Sequence, residues 1–367
     1  MSTEPIFPDL SALTARLRKE DRQFRDSFAL GKLDDKDGKP DPASALPMMA
    51  PVIPPAPPPA STGLSLPSLT EIAAGVELRS RLLALIEQRT GIEAATGAGE
   101  RLDRLLRTMP AAGVAPWLNT LEAEPTEGLH WTELIDALTV HETYFFRDPD
   151  QLDFIRRHVL AALIEAGKGP GRVRLACWCA GCSSGEEVYS LTILILEALR
   201  EAGEAEIRGD GRILINPRWR ISVLGTDIDR AELRKAQSAS YADFPMGPFR
   251  SLPEPLFSYF EPPERGKAGE PARRTLRPEI RAVTSFQPFN LADLEPPERD
   301  FNLILCRNVL IYLSDRTRLH AQALFHRALA RDGVLALGPT DVLRQATLYQ
   351  PVWGPATVLY RKKELNR

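Results

Sequence analysis

The run Cys177-Trp178-Cys179-Ala180-Gly181-Cys182-Ser183-Ser184-Gly185-Glu186-Glu187-Val188-Tyr189-Ser190 limits what this chain can fold into more than any other. It joins a short apolar segment, Val173 to Trp178, to a segment apolar all round, Val188 to Leu199, through a turn of small residues. The first reads as a buried strand, the second as a helix packed on a sheet. Strand, small-residue turn and helix make the first unit of a nucleotide-binding α/β sheet. The glycines let the backbone approach a ligand closely. The pattern is not G-x-G-x-x-G, and Glu186 and Glu187 open the helix, where carboxylates favour the dipole. Such acids would repel a pyrophosphate and suit a ligand bearing positive charge. S-adenosylmethionine, with its sulfonium and ammonium, is one. An ordinary helix start with favourable acids explains the same residues, and both readings stay open at this point.

Further strands follow at α/β spacing. Arg220 to Thr226 reads as a second strand, ending in Thr226-Asp227-Ile228-Asp229. An acid at that position is where a ribose diol is held, since a carboxylate accepts from both hydroxyls. A helix is expected over 230–238, a third strand over 282–286 and a fourth over 301–306. A helix over 314–330, a strand over 333–337 and an edge strand over 357–361 complete a doubly wound pattern. A polar insertion at about 201–218 precedes the second strand. Residues 241–280 hold eight prolines and read as an irregular insert with short strands.

Ahead of the sheet lies a helical domain, expected over 67–160, with the sheet domain over 161–367. One helix there carries Arg101, Arg104 and Arg107 at spacing three. Three residues advance a helix to within about 60° of a full turn, so these arginines share one side. The segment Thr139-Val140-His141-Glu142-Thr143-Tyr144-Phe145-Phe146-Arg147-Asp148 reads as an aromatic hinge with Arg147 offered to a carboxylate or solvated. Residues 1–66 form a separate front end. Leu10, Leu13, Leu17, Phe24 and Phe28 put one apolar face on a helix over 9–30. Nine prolines between Pro40 and Pro59 make an extended linker behind it. The helix is short for independent stability and its stripe needs a partner surface, so residues 1–60 are expected to recruit a partner or to fold back on residues 67–160.

Composition removes several classes. A net charge of −3 argues against general nucleic-acid binding. No apolar run approaches the ~20 residues of a membrane span, and no signal peptide is visible at Met1-Ser2-Thr3-Glu4-Pro5. The four cysteines, Cys177, Cys179, Cys182 and Cys306, suggest reduced thiols in a cytoplasmic protein. Cys177-x-Cys179-x-x-Cys182 superficially suggests zinc, but it straddles a strand end, and no metal is expected. Cys306 is expected to lie near Cys179 or Cys182, since the fourth strand of a doubly wound sheet neighbours the first.

Taken together, Thr143-Tyr144-Phe145-Phe146-Arg147, the glycine turn with Glu186-Glu187-Val188-Tyr189-Ser190, Thr226-Asp227-Ile228-Asp229, Asn290-Leu291 and Cys306-Arg307-Asn308-Val309-Leu310-Ile311-Tyr312 resemble the CheR family. These are the S-adenosylmethionine-dependent glutamate methyltransferases of bacterial chemosensory receptors. The resemblance covers about residues 70–361 and implies a Rossmann-like methyltransferase sheet with a small insert behind an all-helical domain. It implies that Arg147 pairs with the methionine carboxylate, with His141 and Thr143 nearby. It places Glu187 on the cofactor, Asp227 on the ribose, Asn290 and Leu291 beside the adenine, and Arg307 and Asn308 at the site mouth. It puts Tyr312 near the transferred methyl, as a catalytic residue alongside Arg147, and gives the arginine face 101/104/107 the docking of receptor cytoplasmic domains. Val188 stands where the family commonly has proline, and Gly338-Pro339-Thr340-Asp341 where it often has Gly-x-Ser-Glu. A methyltransferase for another protein or a small molecule would share the cofactor residues without needing the arginine helix. A non-catalytic cofactor-sensing scaffold would not need Arg147, Glu187, Asp227, Asn290 and Tyr312 together.

Overall fold

A computed structural model describes residues 69–169, 171–209, 212–266 and 269–364. The front helix expected over 9–30 and its proline-rich linker lie outside the described residues. The chain divides into two compact units, Met1–Leu82 and Leu83–Arg367. The first is described only over 69–82, within helix α1 (Leu69–Thr90).

The second unit continues with α2 (Ala98–Thr108), α3 (Ala111–Ala123) and α4 (Leu129–Leu138). Helix α3 carries Pro116 inside it, which does not end it. Helix α5 (Pro149–Phe154) passes through a π-helical turn (Ile155–Leu160) into α6 (Ala161–Ala166), one run that crosses residue 160. Strand β1 (Val173–Ala180) leads to α7 (Glu186–Glu201). The polar insertion is a hairpin, β2 (Ala205–Ile207) and β3 (Ile213–Ile215). Then come β4 (Trp219–Asp227) and α8 (Arg230–Ser238). The proline-rich insert is held by β5 (Ser240–Asp243) against β6 (Ala272–Thr275). After the one-turn α9 (Pro278–Arg281) follow β7 (Thr284–Pro288), β8 (Phe301–Cys306), α10 (Asp315–Ala328), β9 (Leu329–Leu337), β10 (Tyr349–Trp353) and β11 (Val358–Lys362).

Three expectations need correction. Strand β7 starts two residues late because Ala282 N–H and Val283 N–H close the turn of α9 on Pro278 and Ile280. It runs on to Pro288, which an edge strand tolerates. Helix α10 stops at Ala328, and β9 begins at once at Leu329 rather than at Gly333. The hairpin strand β10 was not expected, since Gln350-Pro351 interrupts its apolar pattern.

The seven-stranded sheet has the order β10-β11-β9-β8-β1-β4-β7. Strands β9, β8, β1, β4 and β7 are parallel, and β11 and β10 add antiparallel. The chain steps from β1 to β4 on one side and to β8 on the other, which places the switch point at β1, where doubly wound sheets bind ligands. Six consecutive residues of β1 are buried, as a strand covered on both faces requires. Helix α7 buries twelve of its 16 residues. Its Ser190 and Thr192 sit in that core because their hydroxyls donate to the Glu186 and Val188 carbonyls at 2.6 and 2.8 Å.

The register also settles the cysteines. Cys177 and Cys179 lie opposite Leu303 and Leu305 of β8, so all four side chains share one face. Cys306, one residue on, points to the other face. Of the two neighbours expected for Cys306, Cys179 or Cys182, strand alternation turns it away from Cys179, although the two strands are neighbours. All four thiols are buried, and burial pushes the Cys177 thiol up to about 12 and the others up as well.

Candidate active site

A cleft of about 130 Å³, open to solvent, lies at the carboxyl ends of β1, β4 and β8. Its walls come from the end of α1, the segment after α4, and the loops after β1, β4, β7 and β8.

The turn after β1 is set by backbone. Gly181 takes φ +76° and packs so closely on Val309 that an added Cβ would come within 2.5 Å. The Gly181 and Cys182 N–H groups both donate to the Thr226 carbonyl, at 2.7 and 2.9 Å, which ties the turn to β4. Ser183 has a left-handed φ of +49° and lines the cleft. Phe146, Asp148 and Asn308 have φ between +55° and +59°, so four strained residues gather around one cleft.

Asp227 ends β4 and lines the cleft. Its carboxylate accepts from Ser183 N–H and Asp229 N–H, both at 2.8 Å. Burial pushes this carboxyl up to about 7, against the pull of those two bonds. The two acids of α7 part company. Glu187 faces the cleft, where Arg307 Nη1 donates to it at 3.1 Å. Burial raises Glu187 while Arg307 holds it down. Glu186 is 3% exposed, accepts from Ser184 Oγ at 2.8 Å and is pushed up to about 7 by burial.

Arg307, expected at the mouth, is turned inward, with its side chain 2% exposed. Its guanidinium donates to Asp148 Oδ2 at 2.8 Å, to the Arg147 carbonyl at 2.6 Å and to Glu187. It thus bridges β8, α7 and the segment carrying Arg147. Arg147 spends one N–H on the Glu142 carbonyl at 2.7 Å and lies 5.8 Å from the centre of the Tyr144 ring. Arg250, from the insert, stacks on that ring at 3.6 Å and pairs with Glu142 at 2.9 Å. Phe145 N–H donates to the Pro248 carbonyl, and Phe145 stacks on Phe249, so the insert supports the aromatic segment.

His141 lies with Nε2 3.3 Å from Asp229 Oδ2 and 2.9 Å from Thr139 Oγ1. Asp136, His141 and Glu232 bring ligand-type atoms within 4.8 Å of one another, a grouping the sequence reading missed because they lie on separate elements. Lys235 Nζ already sits 2.6 Å from Glu232. Asn290 clamps its own loop: Nδ2 donates to the Arg89 carbonyl at 2.7 Å and Oδ1 accepts from Ala292 N–H at 2.9 Å. Thr143, Leu291, Asn308 and Tyr312 also line the cleft.

Every residue expected to touch the cofactor or the methyl lines this one cleft. The three arginines differ in exposure. Arg101 lines the cleft and donates to the Leu138 carbonyl at 2.7 Å, Arg104 is half-buried and Arg107 is exposed. Asp341 was missed. Its carboxylate accepts from the N–H groups of Asn308, Ile311 and Gly338, and the only sequence signal was its place in the Gly338-Pro339-Thr340-Asp341 departure.

The family model for the CheR methyltransferase, SAM binding domain, matches residues 141–356. The chain belongs to the CheR methyltransferase family. Chemotaxis protein methyltransferase 1 of Pseudomonas aeruginosa is 33% identical over 232 residues, covering 63% of this chain and 77% of that protein. Chemotaxis protein methyltransferase Cher2 of Pseudomonas putida is 29% identical over 264 residues, covering 72% and 88%. The chemotaxis protein methyltransferase of Escherichia coli is 30% identical over 266 residues, covering 71% and 82%.

This CheR-family chain is a methyltransferase that uses S-adenosylmethionine. Its cleft fits that group on its own terms. Ser183 and Asn308 line it, and each holds a buried polar atom, Oγ and Oδ1, without a protein partner; buried polar groups of that kind call for a ligand or water. Two carboxylates, Glu187 and Asp227, suit hydroxyl and cationic groups. Among the described residues no helix is long and apolar enough to cross a membrane.

Proposed function

We propose that this enzyme esterifies glutamate side chains on the cytoplasmic domains of chemosensory receptors, as a protein-glutamate O-methyltransferase working in the cytoplasm. The observation that carries this reading is the gathering of Arg147, Glu187, Asp227, Asn308 and Tyr312 around one cleft in a chain of the CheR family.

The residue roles follow from their chemistry. Asp227 accepts from ribose hydroxyls with the lone pairs that Ser183 and Asp229 leave over. Arg147 keeps N–H groups beyond the one given to Glu142 and pairs them with the methionine carboxylate. Glu187, steadied by Arg307, faces the cationic end. His141, Thr143, Asn290 and Leu291 shape the remaining wall. S-adenosylmethionine, when bound, supplies a methyl carbon on a positively charged sulfur that leaves as a neutral thioether. A glutamate with a pKa near 4.3 is already ionised at neutral pH, so no residue has to act as a general base. The chain's task is to align the acceptor oxygen, and proximity of this kind is worth roughly 7–11 kcal/mol. Tyr312 donates its hydroxyl to that oxygen. Arg107, with Arg104 beside it, steers an acidic receptor helix toward the cleft. Residues 1–60 recruit a chemosensory partner.

Incubation with methyl-labelled S-adenosylmethionine and receptor cytoplasmic domains tests the reading. The expected product is label on glutamate that mild base releases. Label that resists base, or label on another acceptor alone, overturns the glutamate assignment.

A further inference from the structure

Asp341 stands just outside the cleft, yet it holds the loop that enters it. It is 8% exposed and is not part of the cleft wall. Its Oδ2 accepts from Asn308 N–H at 2.5 Å and Gly338 N–H at 3.1 Å, and its Oδ1 from Ile311 N–H at 3.2 Å. Among the described residues no ion pair reaches it, so backbone amides alone compensate a buried carboxylate, the arrangement of an anion nest. The segment it holds runs from Arg307 to Tyr312. Within it Asn308 takes φ +59°, a conformation that surrounding structure must impose on a residue other than glycine. Asn308 also lines the cleft, and its buried Oδ1 has no protein partner. Gly338 completes the fit, since a Cβ there would lie 2.6 Å from Asn308 N and 2.9 Å from Asp341 Oδ2.

We propose that Asp341 is a positioning residue of the methyltransferase: its carboxylate sets Asn308 and Tyr312 in the cleft, and cofactor affinity depends on it although it touches no ligand. The proposal rests only on the cofactor half of the function proposed above. A chain that binds S-adenosylhomocysteine but methylates no receptor would sink the acceptor assignment and leave this one standing.

Asp341→Asn turns one acceptor oxygen into an NH₂ group facing an N–H donor, so at least one loop amide loses its partner. Hydrogen exchange on the ligand-free protein, together with calorimetric titration of S-adenosylhomocysteine, reads both parts of the claim. In Asp341→Asn, amides of 306–313 exchange at least about tenfold faster while β1 keeps its protection, and the dissociation constant rises by about tenfold, the scale of one hydrogen bond to a charged group. Asp341→Glu, which keeps both oxygens, recovers most of the affinity. Gly338→Ala, whose Cβ would press on the Asn308 nitrogen and the same bond without removing the charge, shifts both readings in the same direction, and serves if the Asn variant does not fold. Unchanged exchange in 306–313, or faster exchange with wild-type affinity, overturns the proposal.

Discussion

Asp227, at the end of β4, and Asp341, four residues beyond β9, both accept backbone N–H groups at the carboxyl edge of one sheet. They differ in what else they face. Asp227 lines the cleft and makes two such bonds, so its oxygens retain lone pairs for a ligand. Asp341 makes three, one within its own turn, from Gly338, and two from Asn308 and Ile311 in the loop after β8. Two buried carboxylates in similar settings are thus placed for different work: Asp227 keeps lone pairs at the cleft, while Asp341 gives its oxygens to backbone N–H groups. Proximity of a charge to an active site is therefore weak evidence for contact, and the count of protein donors already satisfied is better evidence.

Arg307 ties the loop that Asp341 holds to the rest of the cleft, reaching from the loop after β8 to Glu187 on α7 and to Asp148. Removing it is the severest way to break the comparison. Arg307→Ala strands two partly buried carboxylates, and loss of one partner from a buried ionic group typically costs about 3–5 kcal/mol. Urea unfolding of the ligand-free protein should show a loss of that size. A loss under about 1 kcal/mol would mean that the bridge carries no stability and that the two loops stand independently.

A smaller effect sharpens the distinction. Burial holds the Asp227 carboxyl at about 7, above the ~3.9 of an unfolded chain. Between those values the folded, ligand-free protein binds more protons than the unfolded chain. This group's contribution to stability is therefore present at low pH and lost as pH rises from about 4 to about 7. Binding of ribose hydroxyls has the opposite sign, because it uses the ionised carboxylate. Affinity for S-adenosylhomocysteine should rise about tenfold from pH 6 to pH 8, as expected for one group titrating near 7. Asp227→Asn should flatten that profile. Asp341→Asn should bind more weakly at every pH and keep the slope. A slope that survives in Asp227→Asn would assign it to another group, Glu186 first among them.

The contrast also marks where the sequence could be read. Strand β1, the glycine turn and α7 were legible because Val173 to Leu199 changes from a strand-length apolar run to an all-round apolar helix across small residues. Asp227 was legible because a strand end is visible in sequence and the chemistry of ribose asks for an acid there. Asp341 was not, since a carboxylate that binds backbone N–H groups requires only that the loop return to it, and nothing in the residue types says so. Arg307 was found, but not its inward turn, because its partners Asp148 and Glu187 lie on distant segments. The face of Cys306 depended on register with β1, which strand order alone does not give. The edge strand β10 stayed hidden behind Pro351.

Calorimetric titration of S-adenosylhomocysteine into the wild-type chain, Asp227→Ala and Arg147→Ala is the most direct test of the cleft as the cofactor site. A charged hydrogen bond is worth about 1.5–3 kcal/mol, so each variant should bind at least about tenfold more weakly than the wild type while keeping its melting temperature within a few degrees. Wild-type affinity in both variants would contradict the account.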